Sequence, residues 1–329
     1  MKKNIIKKIF IKISKILGFE LIDQNEFVSP TLEKEINKNL SNENKSIIMP
    51  LGAVDLTRKV ESLLILFRTN TNIEIWDQNK KRIFEESKIE YALRSLNSLI
   101  KSIKYLENTK KNIKINLKIV DNGSAKTNLD KIKNLLVKFN YKADIIIHNN
   151  NEYEKIIKKQ KNIDTFSNLS SLLKCFELGK KADDIVFFVE DDYLHFETTL
   201  EEMISSYERI SSQINKDMFV CSADYPFFYM DNIKTNILIG NNRHWRTINK
   251  SLCTFMTSKS LIDKYWNNFY KNCLDRHDPF EKYLNEIYEK EICISPIKSL
   301  SIHMTNINSS YGLSPFIDYK SLWEENNYN

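Results

Sequence analysis

Two short stretches of the chain gather side chains that could do chemistry. Glu190-Asp191-Asp192 directly follows the apolar run DIVFFV (184–189), and Asp121-Asn122-Gly123-Ser124 directly follows NLKIV (116–120). If the extended backbone continues through the first cluster, Glu190 and Asp192 point to one side and Asp191 to the other. Carboxylates about 7 Å apart repel by roughly 2–3 kcal/mol at an effective dielectric near 20, so a cation or a proton has to relieve them. Hard oxygen donors suit Mg²⁺ or Mn²⁺, ions that complete their shells with water and substrate phosphates. A diphosphate is the natural complement. The plain alternative is a solvated acidic turn, against which stand the apolar residues that bury the base of the cluster.

The elements that must position these residues are legible in the hydrophobic pattern. SLLILF (62–67) precedes a helix with Ile89, Leu93, Leu96, Leu99, Ile100, Ile103 and Leu106 on one face. NLKIV precedes a helix marked by Leu129, Ile132, Leu135, Leu136 and Phe139, and ADIIIH (143–148) comes next. A helix with Leu169, Leu172, Leu173 and Phe176 then leads into DIVFFV. Short apolar strands alternating with amphipathic helices specify an α/β fold, a mostly parallel sheet covered on both faces, whose ligands bind beyond the carboxyl ends of the strands. One more helix and the strand MFVCSA (218–223) follow Leu200, and the pattern loosens into a mixed aromatic region. The expected organisation is an N-terminal helix and connector with perhaps a hairpin (1–60), a regular α/β half that carries both acidic strand ends (61–225) and a mixed half that would face a second substrate (226–329).

Length and composition narrow the class. A chain of 329 residues, 42% hydrophobic, buries an ordinary core without disulfides or metal. Its five cysteines lie far apart with no CxxC pair, as in a reduced cytoplasmic protein rather than a zinc or disulfide framework. Six of the 49 basic residues fall within residues 1–19, which contain no acid, so the other 43 are matched by the 43 acidic residues. That balance argues against nucleic acid as a partner. Residues 1–19 place Ile6, Ile9, Phe10, Ile13, Ile16 and Leu17 at helical spacing with lysines between them. This basic amphipathic helix either lies peripherally on an anionic membrane surface or docks on the protein's own core. The lysines interrupt any signal-peptide core, and no apolar run of about 18 residues offers a membrane span.

IVDNGS (119–124) and FFVEDDY (187–193) at successive strand ends, with the helix NLSSLLKCFELGKKADD leading into the second, resemble the nucleotide-sugar glycosyltransferases of GT-A fold, family 2-like, with the DxD motif in an EDD form. The resemblance covers roughly residues 62–225 and is weaker beyond. It implies that Asp121 holds the nucleoside, that Asp192 ligates Mn²⁺ or Mg²⁺, and that Glu190 and Asp191 assist through ribose or metal-bound water. Arg68 and Thr69, at the end of the first strand, are nucleotide contacts by position, although the sequence departs there from the commoner family pattern. Several members place a histidine on the metal or diphosphate near the C-terminus, the place His303 would take; a hydrogen-bonded structural histidine is the alternative.

Inverting members need a carboxylate to take the proton of the acceptor hydroxyl. Asp278 in RHDPFEKYL is the first candidate, Glu281 the second, and Asp224 a third. Pro279 makes Asp278 an expected helix N-cap, which by itself would explain an aspartate there. Arg243, His244, Trp245 and Arg246 form a cationic, aromatic run that could meet a diphosphate, or equally an exposed loop. The function implied is transfer of a sugar from a nucleotide-sugar donor to a glycan or lipid-linked acceptor, in bacterial surface polysaccharide or lipopolysaccharide assembly at the inner membrane face. A non-catalytic sugar- or nucleotide-binding relative remains open. A sugar-1-phosphate nucleotidyltransferase fits less well, because RTNTN (68–72) lacks the glycines of a phosphate loop.

Overall fold

The structure is a computed structural model that describes residues 5–19, 41–42, 45–48, 52–72, 82–230, 234–305 and 309–328. The chain divides into two units, 1–55 and 56–329, so the expected halves 61–225 and 226–329 fall within one compact unit. In the first unit, helix α1 (Ile5–Ile16) realises the predicted amphipathic segment. Strands β1 (Ser41–Asn42), β2 (Lys45–Ile48) and β3 (Gly52–Asp55) form a small antiparallel sheet in which β2 and β3 make the expected hairpin. Residues 20–40, 43–44 and 49–51 of the connector lie outside the described residues.

The second unit begins with the predicted alternation. β4 (Ser62–Thr69), α2 (Lys88–Thr109), β5 (Lys114–Asp121), α3 (Lys126–Lys138), β6 (Asp144–Ile147), α4 (Ile163–Gly179) and β7 (Ile185–Glu190) follow one another. They place β7, β4, β5 and β6 side by side, all parallel. The short strand β8 (Tyr193–His195) and helix α5 (Thr199–Ile214) come next. β9 is only Phe219–Val220, shorter than the apolar run MFVCSA. β10 (Ile237–Ile239), β11 (His244–Ile248), β12 (Phe255–Ser258), α6 (Lys259–Lys264), α7 (Trp266–Leu274), α8 (Lys282–Tyr288), β13 (Cys293–Pro296), β14 (Ser301–His303) and α9 (Tyr319–Glu325) complete the chain. The nine-stranded sheet runs β10-β11-β13-β9-β12-β7-β4-β5-β6, parallel through its first-half strands and mixed beyond β7.

Period-two alternation in the central strands sends successive side chains to opposite cores. Leu63, Ile65 and Phe67 of β4, with Ile185 and Phe187 of β7, meet the apolar faces of α2, α3 and α5. Leu66, Val186 and Phe188 meet α4, α6 and α7 on the other face. A strand buried on both sides must be apolar throughout, hence the unbroken runs in the sequence. Their first polar residues appear where the strands leave the core, all at the carboxyl edge.

Register aligns those ends. Arg68 lies opposite Glu190 and Thr69 opposite Asp121. A separate two-stranded ribbon pairs β8 with β14, His303 opposite Tyr193, and the Met304 amide donates to the Asp192 carbonyl at 2.7 Å. The ribbon carries a residue more than 100 positions downstream to the acidic cluster.

Candidate active site

The extended backbone of β7 stops at Glu190, and the chain turns at Asp191 and Asp192. Simple alternation therefore fails. Asp191 and Asp192 share one cation, while Glu190 faces another. The Arg68 guanidinium donates to Glu190 Oε1 at 2.6 Å and also bonds Asn168 and Ser171 of α4. Thr254 holds the opposite Glu190 oxygen at 3.3 Å. Asp191 accepts from the Thr69 hydroxyl at 2.8 Å, from the Asn70 amide at 3.2 Å and from Lys88 Nζ at 2.5 Å. Lys88 Nζ also lies 3.9 Å from Asp192 Oδ2, and His303 Nε2 lies 3.5 Å from the same oxygen.

Each carboxylate of the cluster thus faces a basic side chain from a different element: Arg68 from β4, Lys88 from α2 and His303 from β14. The repulsion that the sequence suggested an ion would relieve is already balanced by the protein. Burial opposes charge on Asp192, yet Lys88 and His303 together hold its carboxyl well below the usual range. Burial likewise opposes charge on Arg68, Lys88 and His303, and the neighbouring carboxylates more than restore it in each.

The three acids are not equivalent as ligands. Glu190 and Asp191 have both carboxylate oxygens bonded to the protein, whereas among the described residues the Asp192 carboxylate is set only against Lys88 and His303. His303 Nδ1 lies 2.8 Å from the Tyr311 carbonyl, which makes Nδ1 the donor and leaves Nε2 toward Asp192. Its ring stacks on Tyr193, centroids 4.6 Å apart and planes 6° from parallel. A backbone acceptor on Nδ1 orients the ring as in a ligating histidine, and Nε2, which faces Asp192 as a cation when protonated, would become a ligand on losing that proton. No group of three or more His, Cys, Asp or Glu able to hold a metal occurs among the described residues. Asp192 and His303 form a two-donor set, which suits an ion that takes its remaining ligands from water and phosphate.

Asp121 sits at the end of β5. Gly123 adopts a positive φ of 84°, turning the chain so that the Ser124 amide donates to Asp121 Oδ2 at 3.2 Å. The loop after β4 is fastened to this turn: the Thr71 amide donates to Ser124 Oγ at 3.0 Å, and Asn72 reaches the Gly123 carbonyl. Asp121 is 1% exposed, and its Oδ1 has no hydrogen-bond partner among the described residues. Burial pushes its carboxyl up.

On the acceptor side the candidates separate. Glu281 lies beside Cys253, whose sulfur is 4.0 Å from Oε1. Burial, then the charge of Glu190, pushes the Glu281 carboxyl up to about 8. Asp278 is exposed, and α8 starts only at Lys282 with Glu281 in the capping position, so the expected N-cap role of Asp278 does not hold. Asp224 is buried beneath Tyr229, whose hydroxyl donates to Oδ2 at 2.5 Å, and lies 3.7 Å from Arg246. His244, Trp245 and Arg246 of the cationic, aromatic run lie in strand β11, with Arg243 in the bend before it: Trp245 is in the core with its indole N–H on Glu202, and Arg243 bonds the Lys298 carbonyl. Arg68 and Thr69, expected at the nucleotide, direct polar atoms to Glu190 and Asp191 of the acidic cluster.

Lys88 was not singled out in the sequence. One local signal exists: a lysine in the first turn of a helix opposes the positive end of the macrodipole, and such a violation needs an anion nearby.

No protein-family model and no curated protein sequence matches the chain. Among solved structures it is similar to galactosyltransferase LgtC in complex with donor and acceptor sugar analogs, at 13% identity and TM-score 0.39, covering 70% of this chain and 72% of that one. It is similar to TarS 1–349 of S. aureus at 14% identity and TM-score 0.33, covering 62% and 48%. It is also similar to UDP-glucose pyrophosphorylase complexed with UDP-glucose at 9% identity and TM-score 0.39, covering 74% and 93%. At these TM-scores function has to be reasoned from the chain's own side chains.

Proposed function

We propose that the chain is a metal-dependent glycosyltransferase that moves a sugar from a nucleotide-sugar donor to a glycan or lipid-linked acceptor, in bacterial surface polysaccharide or lipopolysaccharide assembly. The observation that carries this reading is the meeting of Asp192 Oδ2 and His303 Nε2, 3.5 Å apart, at the sheet edge that also holds the unpartnered Asp121 Oδ1. Asp192 and His303 would hold Mn²⁺ or Mg²⁺, which when bound supplies Lewis-acid stabilisation to the departing diphosphate. Asp121 Oδ1 accepts from an N–H of the base or a ribose hydroxyl. Glu281 takes the proton of the acceptor hydroxyl as that oxygen bonds to the anomeric carbon. The bond from this carbon to the diphosphate breaks, its electron pair leaves on the diphosphate oxygen, and the anomeric centre inverts. Glu281 becomes a base as pH rises through about 8, so kcat/KM should climb through that range; a profile flat from pH 6 to 9 would count against it.

Thr69 at the end of β4 and Asn70 in the loop after it are turned to Asp191, and RTNTN (68–72) contains no glycine, which disfavours a nucleotidyltransferase phosphate loop. A panel of nucleotide sugars with Mn²⁺ or Mg²⁺ tests the reading through release of nucleoside diphosphate. Pyrophosphate release from a nucleoside triphosphate and a sugar 1-phosphate, with no reaction in the panel, would replace it with nucleotidyl transfer.

The acceptor class motivates a location. Among the described residues no helix is long and apolar enough to cross a membrane. Ile9, Phe10, Ile13, Ile16 and Leu17 of the α1 segment are nonetheless exposed, with lysines between them. Such a face fits peripheral binding at an anionic cytoplasmic membrane surface, each lysine adding about 1 kcal/mol. The protein should co-sediment with phosphatidylglycerol vesicles but not phosphatidylcholine vesicles, and Phe10→Glu with Ile13→Glu should abolish this. Unchanged sedimentation of that double variant would remove α1 from the interface.

A further inference from the structure

We infer that Lys88 is a built-in cation of the site: its ammonium balances Asp191 and Asp192 before any ion arrives, opposes divalent-metal binding at Asp192, and gives the diphosphate group a fixed positive partner. The inference rests on the reading of Asp192 and His303 given above.

The geometry carries it. Lys88 is the first residue of α2, and its side chain is 14% exposed. Nζ reaches Asp191 Oδ1 at 2.5 Å and stands 3.9 Å from Asp192 Oδ2, the oxygen that His303 also faces. A lysine desolvated at a helix N-terminus is disfavoured twice, by burial and by the macrodipole. Two carboxylates compensate for both. Asp191 is then the link between Lys88 and the loop after β4, since its other oxygen bonds Thr69 and Asn70. With α2 extending 22 residues away from this point, the ammonium and the first-turn amides lie at the same end of the helix and favour the same ligand charge.

A positive charge held 3.9 Å from a metal-ligand oxygen raises the cost of placing a divalent ion there and lowers the cost of placing a diphosphate. Removing it should therefore shift the two affinities in opposite directions. A lysine that merely held the loop in place would weaken both when lost.

The test uses the full chain and two probes, Mn²⁺ alone and inorganic pyrophosphate in EDTA, each followed by calorimetry. Lys88→Met should bind Mn²⁺ about tenfold more tightly and pyrophosphate about tenfold more weakly. Lys88→Arg should stay near wild type for both. The double variant Lys88→Met with Asp191→Asn, which removes one charge of each sign and keeps the net charge, should return Mn²⁺ affinity toward the wild-type value. If Lys88→Met does not fold, the same expectation is read from the folded double variant, whose Mn²⁺ affinity should then match wild type. Weakening of both ligands by Lys88→Met, no change in either, or a folded double variant that has lost Mn²⁺ would overturn the role of Lys88. A wild-type chain that binds neither probe would instead overturn the reading of the site itself.

Discussion

The ends of β7 and β5 present carboxylates in opposite conditions. At β7 the protein supplies partners of its own: Arg68 and Thr254 to Glu190, Lys88 and Thr69 to Asp191, Lys88 and His303 to Asp192. At β5 one oxygen of Asp121 is bonded to the local turn and the other has no partner among the described residues. A buried charge with its own counter-charge is a structural commitment, whereas a buried acceptor without a donor is a place for a ligand. Asp192 stands between these conditions, charge-balanced but the least hydrogen-bonded of its cluster.

Cutting a partner at β7 should have the largest effect on stability. Arg68→Met leaves the half-buried Glu190 carboxylate, 24% exposed, with Thr254 as its remaining side-chain partner among the described residues and should cost about 1–3 kcal/mol of unfolding free energy. Adding Glu190→Gln should recover most of that loss in denaturant titration. A single variant as stable as wild type would mean that the pair is not a structural commitment. At β5 the order reverses. Asp121→Asn should leave stability unchanged or slightly higher while weakening nucleoside diphosphate binding about tenfold, the loss of one charged hydrogen bond. Marked destabilisation with intact binding would make Asp121 a structural residue like Glu190.

His195 is a third condition, a buried polar ring whose two nitrogens lack partners among the described residues and which lies 2% exposed in the core. Burial depresses its pKa to about 3. The folded state therefore resists a proton that the unfolded chain accepts below about 6.5, and stability is full above that pH and falls as the pH drops toward 3. The contribution is about 2 kcal/mol at pH 5. His195→Leu should flatten that acid limb in a Tm-versus-pH series; an unchanged limb would mean that the ring finds a proton partner.

What was legible in the sequence was local. Apolar runs, unbroken in β7 and interrupted by Lys118 in β5, end where the strands leave the core, so Asp121 and Glu190 to Asp192 could be found as the first acids after them. In the residue pattern His303 is a lone histidine behind an apolar stretch, singled out by the family resemblance alone, and the β8–β14 ribbon brings it to Asp192. The roles of Arg68, Thr69 and Lys88 depend on pairings across roughly 100 residues and leave no spacing to read. Asp278 ranked ahead of Glu281 because Pro279 marks a helix start at 278 in the sequence, whereas the helix starts at Lys282 and puts Glu281 in the capping position. Trp245 read as part of a run free to meet a diphosphate because the alternation of β11, which buries it against Glu202, is hidden among charged neighbours.

The central claim is that Asp192, rather than its two paired neighbours, holds the ion on which sugar transfer depends. Its most direct test is the rate of nucleoside diphosphate release from the preferred nucleotide sugar, with Mn²⁺ and with EDTA, for the wild-type chain and Asp192→Ala at equal folded concentration. The account predicts at least about a thousandfold loss on either change, with no further loss when EDTA is added to the variant. Turnover within a few-fold of wild type in folded Asp192→Ala, or in EDTA, would contradict it.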